Sequence, residues 1–179
     1  MIPSGGFRIH VTKDYLVFSS AHFITFAGHR CESLHGHNYR VGVAVEGTID
    51  AESWYVLDFS VLKRLARKLC DEIDHKVLLP RTNPKLTVEV LSGTIAVAYQ
   101  GVPRYVFPLD DCALLDIPNT TVEMLAQYLT HRVMAELPSS VHATAIEVEV
   151  EENFGQSAAY REEIGVQPDP AANEPTETH

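Results

Sequence analysis

Seven consecutive residues, Cys31 to His37 in CESLHGH, carry one thiol, one carboxylate and two imidazoles. These are the side chains that bind cations or move protons near neutral pH. His35 and His37 stand two apart; on a strand that spacing aims both side chains to one face, so both imidazoles can meet one ion. Two are too few, because a catalytic zinc typically takes three protein ligands and keeps a further position open. His22, in SSAHF at the end of the preceding strand-like run, supplies a third. Antiparallel pairing of the two strands would set the end of the first beside the start of the second. His22, His35 and His37 are therefore the candidate ligands of a Zn2+ ion, and neutral nitrogen donors would leave that ion a strong Lewis acid. Iron and other divalent ions share the preference for imidazole. The plainer alternative is three separate strand-end hydrogen bonds. His29 lies in the same loop with nothing to fix its direction.

Other titratable groups admit two readings each. Near a cation the Cys31 thiol would ionise readily and serve as a base; otherwise it is a small buried hydrophobe, the reading preferred for Cys70 and Cys112. Glu32 is either a second base beside the thiol or a solvated loop charge. Asp74 and His75, adjacent in IDHKVLL, can form an acid–base pair in which the carboxylate sets the imidazole tautomer. A histidine interacting with a helix dipole explains the dipeptide equally well. Glu151 and Glu152 close a strand, where a carboxylate is either a solvated edge charge or the acceptor of two parallel N–H bonds from a planar heterocycle.

The elements that must position these groups follow from periodicity. Phe7 to about Phe23 reads as a strand with a break near Lys13-Asp14, and His37 to Ile49 alternates, with Tyr39, Val41, Val43 and Val45 on one face. Asp58 or Ser60 caps a helix running to about Asp74, with Val61, Leu62, Leu65, Leu69 and Ile73 at helical spacing. A second helix follows DIPNTT, with Val122, Leu125, Leu129, Val133 and Leu137 as its stripe and Pro138 as its stop. Between the helices, 79–118 holds three strand-like pieces, LTVEVL, TIAVAY and RYVFPL, and reads as a small β-rich insertion. ATAIEVEVEE alternates again, and a last strand follows near Ser157 to Arg161. The order predicts an α+β fold, ββααββ: an antiparallel four-stranded sheet with two helices on one face. The expected domain spans 1–165, and the proline-rich, acidic 166–179 reads as a disordered tail.

Composition narrows the function. A chain of 179 residues with a formal charge of -10 lacks the surplus of Lys and Arg that nucleic acids demand, although a local basic pocket could hold a phosphorylated small molecule. Three scattered cysteines suit a reducing compartment better than a disulfide framework. There is no apolar run of bilayer length, and the N-terminus lacks a signal-peptide layout. A cytoplasmic location is expected, with no membrane partner.

FSSAHF, CESLHGHNYRVGVAVEG, VLDFSVLKRLARKLCDEIDHKVLL, TTVEMLAQYL and VEVEENFGQSAAYRE together resemble the 6-pyruvoyl tetrahydropterin synthase / 6-carboxytetrahydropterin synthase family, in family order. The resemblance implies a tunnelling fold assembled into a homo-oligomeric ring, a trimer stacked into a hexamer, acting on 7,8-dihydroneopterin triphosphate without nicotinamide or flavin. It implies Zn2+ on His22, His35 and His37, Cys31 as the proton-abstracting thiolate, and Asp74 with His75 as the assisting pair. Glu152 and Thr121 match the residues that hold the pterin. Thr120 stands where the family carries proline, and the 79–118 insertion where simple members have a short connection. The activity implied first is formation of 6-carboxy-5,6,7,8-tetrahydropterin, with release of triphosphate and acetaldehyde, on the queuosine and deazapurine route. CESLHGH also fits a combined pattern in which Glu32 supports 6-hydroxymethyl-7,8-dihydropterin formation for folate. 6-Pyruvoyl tetrahydropterin synthesis and a non-catalytic zinc- or pterin-binding paralogue are the remaining alternatives.

Overall fold

The computed structural model describes residues 5–28, 30–153 and 155–164. In chain order the strands and helices are β1 (Phe7–His22), β2 (His35–Gly47), α1 (Phe59–Ile73), β3 (Val77–Pro80), β4 (Leu86–Leu91), β5 (Thr94–Tyr99), β6 (Val102–Pro108), β7 (Cys112–Leu115), α2 (Val122–Glu136), β8 (Ala143–Glu152) and β9 (Ser157–Glu163). The expected α+β order is present. The tail expected at 166–179 lies outside the described residues, as do His29 and Phe154.

Four strands, β1-β2-β8-β9, form an antiparallel meander, and their register decides where the histidines point. Thr12 pairs with Gly42 but Val17 pairs with Arg40, so four residues of β1 stand opposite the single residue Val41. The surplus is odd, and a strand has a side-chain period of two. Before the bulge the odd-numbered Ile9 and Val11 face the helices; after it the even-numbered Leu16, Phe18, Ser20 and His22 take that face. His22 then stands directly opposite His35, and Ser20 opposite His37. The break expected near Lys13-Asp14 is this bulge.

Both helices cover the same side of the meander. Leu62, Leu65 and Leu69 of α1 and Leu125, Leu129 and Val133 of α2 share one core with Phe18, Tyr39, Val41, Val43, Val45, Ile146, Val148 and Val150. Asp58, rather than Ser60, caps α1, accepting a bond from the Ser60 N–H at 2.7 Å; such a cap is worth about 1 kcal/mol. Cys70 is completely buried in this core, and burial pushes its thiol pKa up to about 12. On the opposite face Arg8, Glu46, Glu147 and Arg161 make cross-strand ion pairs.

The span between the helices is more closely joined to the sheet than a detached insertion. β4, β5 and β6 make the expected small antiparallel sheet, the first two with the predicted bounds. The flanking β3 and β7, which the sequence reading missed, pair in parallel and attach to the end of β1 through Ala21 and Val77. The main sheet therefore has six strands, β7-β3-β1-β2-β8-β9. A second apolar cluster, Phe23, Leu79, Ile95 and Val97, welds the insertion to the loop after β1.

Candidate metal centre and active site

The ligand nitrogens of His22, His35 and His37 lie within 4.8 Å of one another, the one such group among the described residues. A carbonyl oxygen can only accept, so the contacts of His22 Nδ1 with Thr120 O and of His35 Nδ1 with Ser33 O, both 2.9 Å, place the proton on Nδ1. Each neutral ring then keeps an unprotonated Nε2. His22 is 3% exposed and its Nε2 is buried without a hydrogen-bond partner. Burial, opposed by the Thr120 contact, lowers the pKa of His22 and keeps it neutral, as a ligand must be. An orphaned, buried, lone-pair nitrogen facing two further imidazoles is a donor set that fits a divalent cation. His37 Nδ1 meets the Asn153 side-chain amide at 2.9 Å. That amide's two ends are interchangeable in shape, and with Oδ1 turned to the ring His37 adopts the same tautomer as the other two.

Carboxylates surround the cluster. Glu152 Oε1 lies 3.5 Å from His22 Nε2 and 3.6 Å from His37 Nε2, and accepts the Tyr39 hydroxyl at 3.1 Å. Burial and then this carboxylate hold the Tyr39 phenol strongly protonated. Glu32 accepts from the Ile24 N–H and sets Oε2 3.8 Å from His35 Nδ1. Cys31 turns to different company. Its thiol donates to Glu32 O at 3.6 Å and packs against the Phe23–Leu79–Ile95–Val97 cluster. Burial raises its pKa, Arg104 opposes the rise and Glu32 adds to it. Of the two adjacent residues, it is Glu32 whose ionisable group approaches the histidine cluster.

Asp74 and His75 meet as expected. Asp74 caps the end of α1; its Oδ1 accepts the Ser19 N–H at 2.7 Å and its Oδ2 faces His75 Nδ1 at 2.9 Å. His75 adopts φ +56°, a left-handed conformation uncommon for a side-chain-bearing residue, held by its N–H to Ser19 O at 2.7 Å. Its ring is 83% exposed on a cleft of about 550 Å³ that His37 and Asn153 also line. Thr121 is the N-cap of α2 and makes no side-chain capping bond. Three contributors escaped the sequence reading. Tyr39, two residues beyond His37, was recoverable from the same strand period. Thr120 holds His22 through its carbonyl and bonds Phe23 O through its hydroxyl at 3.0 Å, and Asn153 orients His37; no spacing rule announced either.

Three imidazoles converging at one end of an antiparallel meander, with both helices on its inner face, define an α+β protein whose histidine cluster could hold a metal ion. The chain matches the family described as 6-pyruvoyl tetrahydropterin synthase over residues 10–163, and it belongs to that enzyme family. It is 36% identical over 153 residues, 84% of this chain and 93% of the relative, to a Methanocaldococcus jannaschii protein provisionally named 6-carboxy-5,6,7,8-tetrahydropterin synthase. A Haemophilus influenzae 6-carboxy-5,6,7,8-tetrahydropterin synthase is 28% identical, with 69% of this chain and 80% of that one aligned. The crystal structure of Plasmodium vivax 6-pyruvoyl tetrahydropterin synthase superposes with a TM-score of 0.82 at 30% identity, covering 90% of this chain and all of that one. A variant of that enzyme with a catalytic glutamate changed to alanine aligns equally well, TM-score 0.82. The tunnelling fold is thereby established.

Proposed function

We propose that this chain converts 7,8-dihydroneopterin triphosphate to 6-carboxy-5,6,7,8-tetrahydropterin, releasing triphosphate and acetaldehyde, with Zn2+ held by His22, His35 and His37. The observation that carries the reading is the convergence of three imidazole nitrogens within 4.8 Å, two of them fixed as metal-ready tautomers by backbone carbonyls. The names of the archaeal and Haemophilus relatives support the product. Bound zinc would supply Lewis acidity that makes the substrate's side-chain hydroxyls and neighbouring C–H bonds easier to deprotonate. The chain's own residues do the rest. Glu152, steadied by the Tyr39 hydroxyl, and Thr121, with its hydroxyl uncommitted to capping, hold the pterin. Cys31 and Glu32 offer bases on either side of one short segment. His75, its tautomer set by Asp74, takes and returns a proton in the open cleft.

A second reading, formation of 6-hydroxymethyl-7,8-dihydropterin alone or in addition, is favoured by one specific contact. Glu32 reaches His35 while the Cys31 thiol packs toward the insertion, and a Plasmodium neighbour uses a catalytic glutamate. 6-Pyruvoyl tetrahydropterin formation, the activity named for the Plasmodium structures, is the third. We place the enzyme on the route to queuosine, which follows from the 6-carboxytetrahydropterin product, and in the cytoplasm, a reducing compartment that suits the free cysteines Cys31, Cys70 and Cys112. No helix of the described residues is long and apolar enough to cross a membrane. We read 1–165 as one catalytic unit and the assembly as a homo-oligomer, a trimer or hexamer.

Purified zinc-loaded protein given dihydroneopterin triphosphate decides among these. Acetaldehyde with tripolyphosphate supports the first reading, 6-hydroxymethyl-dihydropterin the second and a pyruvoyl pterin the third; substrate bound but unchanged would sink all of them. Cys31→Ala should lower 6-carboxytetrahydropterin output, and Glu32→Ala 6-hydroxymethyl-dihydropterin output, each by about 100-fold or more. If both variants turn over like the parent, neither residue is a base.

A further inference from the structure

The insertion and the Arg30–Cys31 segment flank a second cleft, of about 420 Å³, lined by Arg30, Cys31, Tyr99, Gln100, Val102, Pro103 and Arg104. No carboxylate is among those residues. In a chain of net charge -10 that is unusual company for two arginines. Arg8, Arg40, Arg67, Arg81, Arg132 and Arg161 each pair with a carboxylate. Among the described residues Arg30, Arg64 and Arg104 do not, and two of these three line the same cleft.

Neutral contacts hold both cleft arginines in place. Arg104 Nη2 donates to Glu32 O at 2.9 Å and to Cys31 O at 3.5 Å, and its guanidinium lies 5.3 Å from the Tyr105 ring centre. The Arg30 guanidinium lies 4.5 Å over the Phe26 ring. Carbonyls and aromatic faces fix a guanidinium without neutralising it, and most of its five donors stay available. Lys85 adds a third cation nearby, its Nζ donating to Phe26 O and Gly28 O at 2.7 and 2.8 Å. Tyr99, also in the cleft wall, has a buried hydroxyl with no hydrogen-bond partner. Oriented cations without counterions, beside a phenol lacking an acceptor, suit a ligand with several negative oxygens.

We propose that this cleft is a polyphosphate subsite, seating the triphosphate arm of the substrate whose side chain lies at the histidine cluster. This rests on the pterin triphosphate reading above. The two sites flank one dipeptide: Cys31 forms part of the cleft wall, while the Glu32 carboxylate lies 3.8 Å from His35. A substrate anchored at both ends would lie along the two candidate bases. The insertion, which supplies Tyr99 and Arg104, thereby becomes part of substrate recognition.

The test titrates inorganic tripolyphosphate into the zinc-loaded protein by calorimetry, with retained zinc measured in the same samples. Arg30→Gln should bind it about tenfold more weakly, the loss of roughly one charge-assisted contact, and Arg30→Lys should recover part of the loss. Any attraction of tripolyphosphate to the zinc is common to all variants and cancels in the ratio. Unphosphorylated 7,8-dihydroneopterin should bind parent and Arg30→Gln equally. Absence of tripolyphosphate binding by the parent, or equal affinity in Arg30→Gln, overturns the subsite. Turnover of dihydroneopterin triphosphate with unchanged KM in Arg30→Gln also overturns it while leaving the reaction standing. A tenfold loss of tripolyphosphate affinity in a protein that turns over no pterin keeps the subsite and overturns the reaction.

Discussion

A carboxylate that organises two elements has a measurable pH signature. Asp74 ends α1, ties Ser19 of β1 through Oδ1 and holds His75 through Oδ2. Partial burial pushes its carboxyl pKa up, but the Ser19 N–H and His75 outweigh burial and leave it below the ordinary carboxylate value. A folded-state pKa lower than the unfolded one contributes stability that is fully present above the unfolded pKa, roughly 3.9 for Asp. That contribution drains away as pH falls through the depressed folded value. Asp74→Ala should therefore cost about 1 kcal/mol at neutral pH, the loss of a partly buried hydrogen bond to an ionised group. The gap between parent and variant should narrow below about pH 4, where the parent's carboxylate also becomes protonated. Urea unfolding at pH 7 and pH 3 measures both. A gap of equal size at the two pH values would mean that Asp74 acts through packing and not through its charge.

At the scale of elements, an odd bulge in β1 makes the three-histidine cluster possible. Without the three-residue surplus opposite Val41, His22 would point to the Arg8–Glu46 face and leave His35 and His37 with no third partner. Deleting Asp14 alone leaves an even surplus and should reverse the parity of either Ile9–Val11 or the whole Leu16–His22 run, so that part of the core is lost or zinc binding is lost with Leu16 and Phe18. Deleting Lys13 and Asp14 together keeps the parity, and should retain a zinc affinity within about tenfold of the parent's. Zinc content after dialysis and urea midpoints check the pair; equal zinc loss in both would mean that strand parity does not govern the site. The same feature marks the limit of what the sequence discloses. The strand, the break and the three histidines were legible, because period-two alternation and antiparallel adjacency are local rules. β3 and β7 were not, since VLLP and CALL are too short to show a period and pair in parallel across more than thirty residues. The direction of Cys31 was also hidden, because the apolar cluster that receives it comes largely from the insertion.

At the scale of the whole molecule, the described residues leave two long hydrogen-bonding edges without a strand beside them. β3 meets β1 only near Ala21, so among the described residues the outer edge of Phe7–Thr12 has no partner strand, and β9 ends the sheet on the other side. Exposed edges of this kind invite pairing with another copy, and head-to-tail pairing closes into a ring when the sheet's curvature permits. Such a ring would turn the helices outward and enclose the face bearing Arg8, Glu46, Glu147 and Arg161, whose charges already satisfy one another across strands. The homo-oligomer proposed above is then a barrel joined through the first half of β1 and β9 of neighbouring copies. Mass photometry should give a trimer or its double. Hydrogen exchange should find the outer-edge amides of 7–12 and 157–163 slow in the assembled protein, and both segments should speed up together on dilution to monomer. An oligomer in which these amides exchange as freely as in the monomer would place its contacts elsewhere, with the exposed Trp54, Tyr55 and Phe59 at the start of α1 the next surface to test.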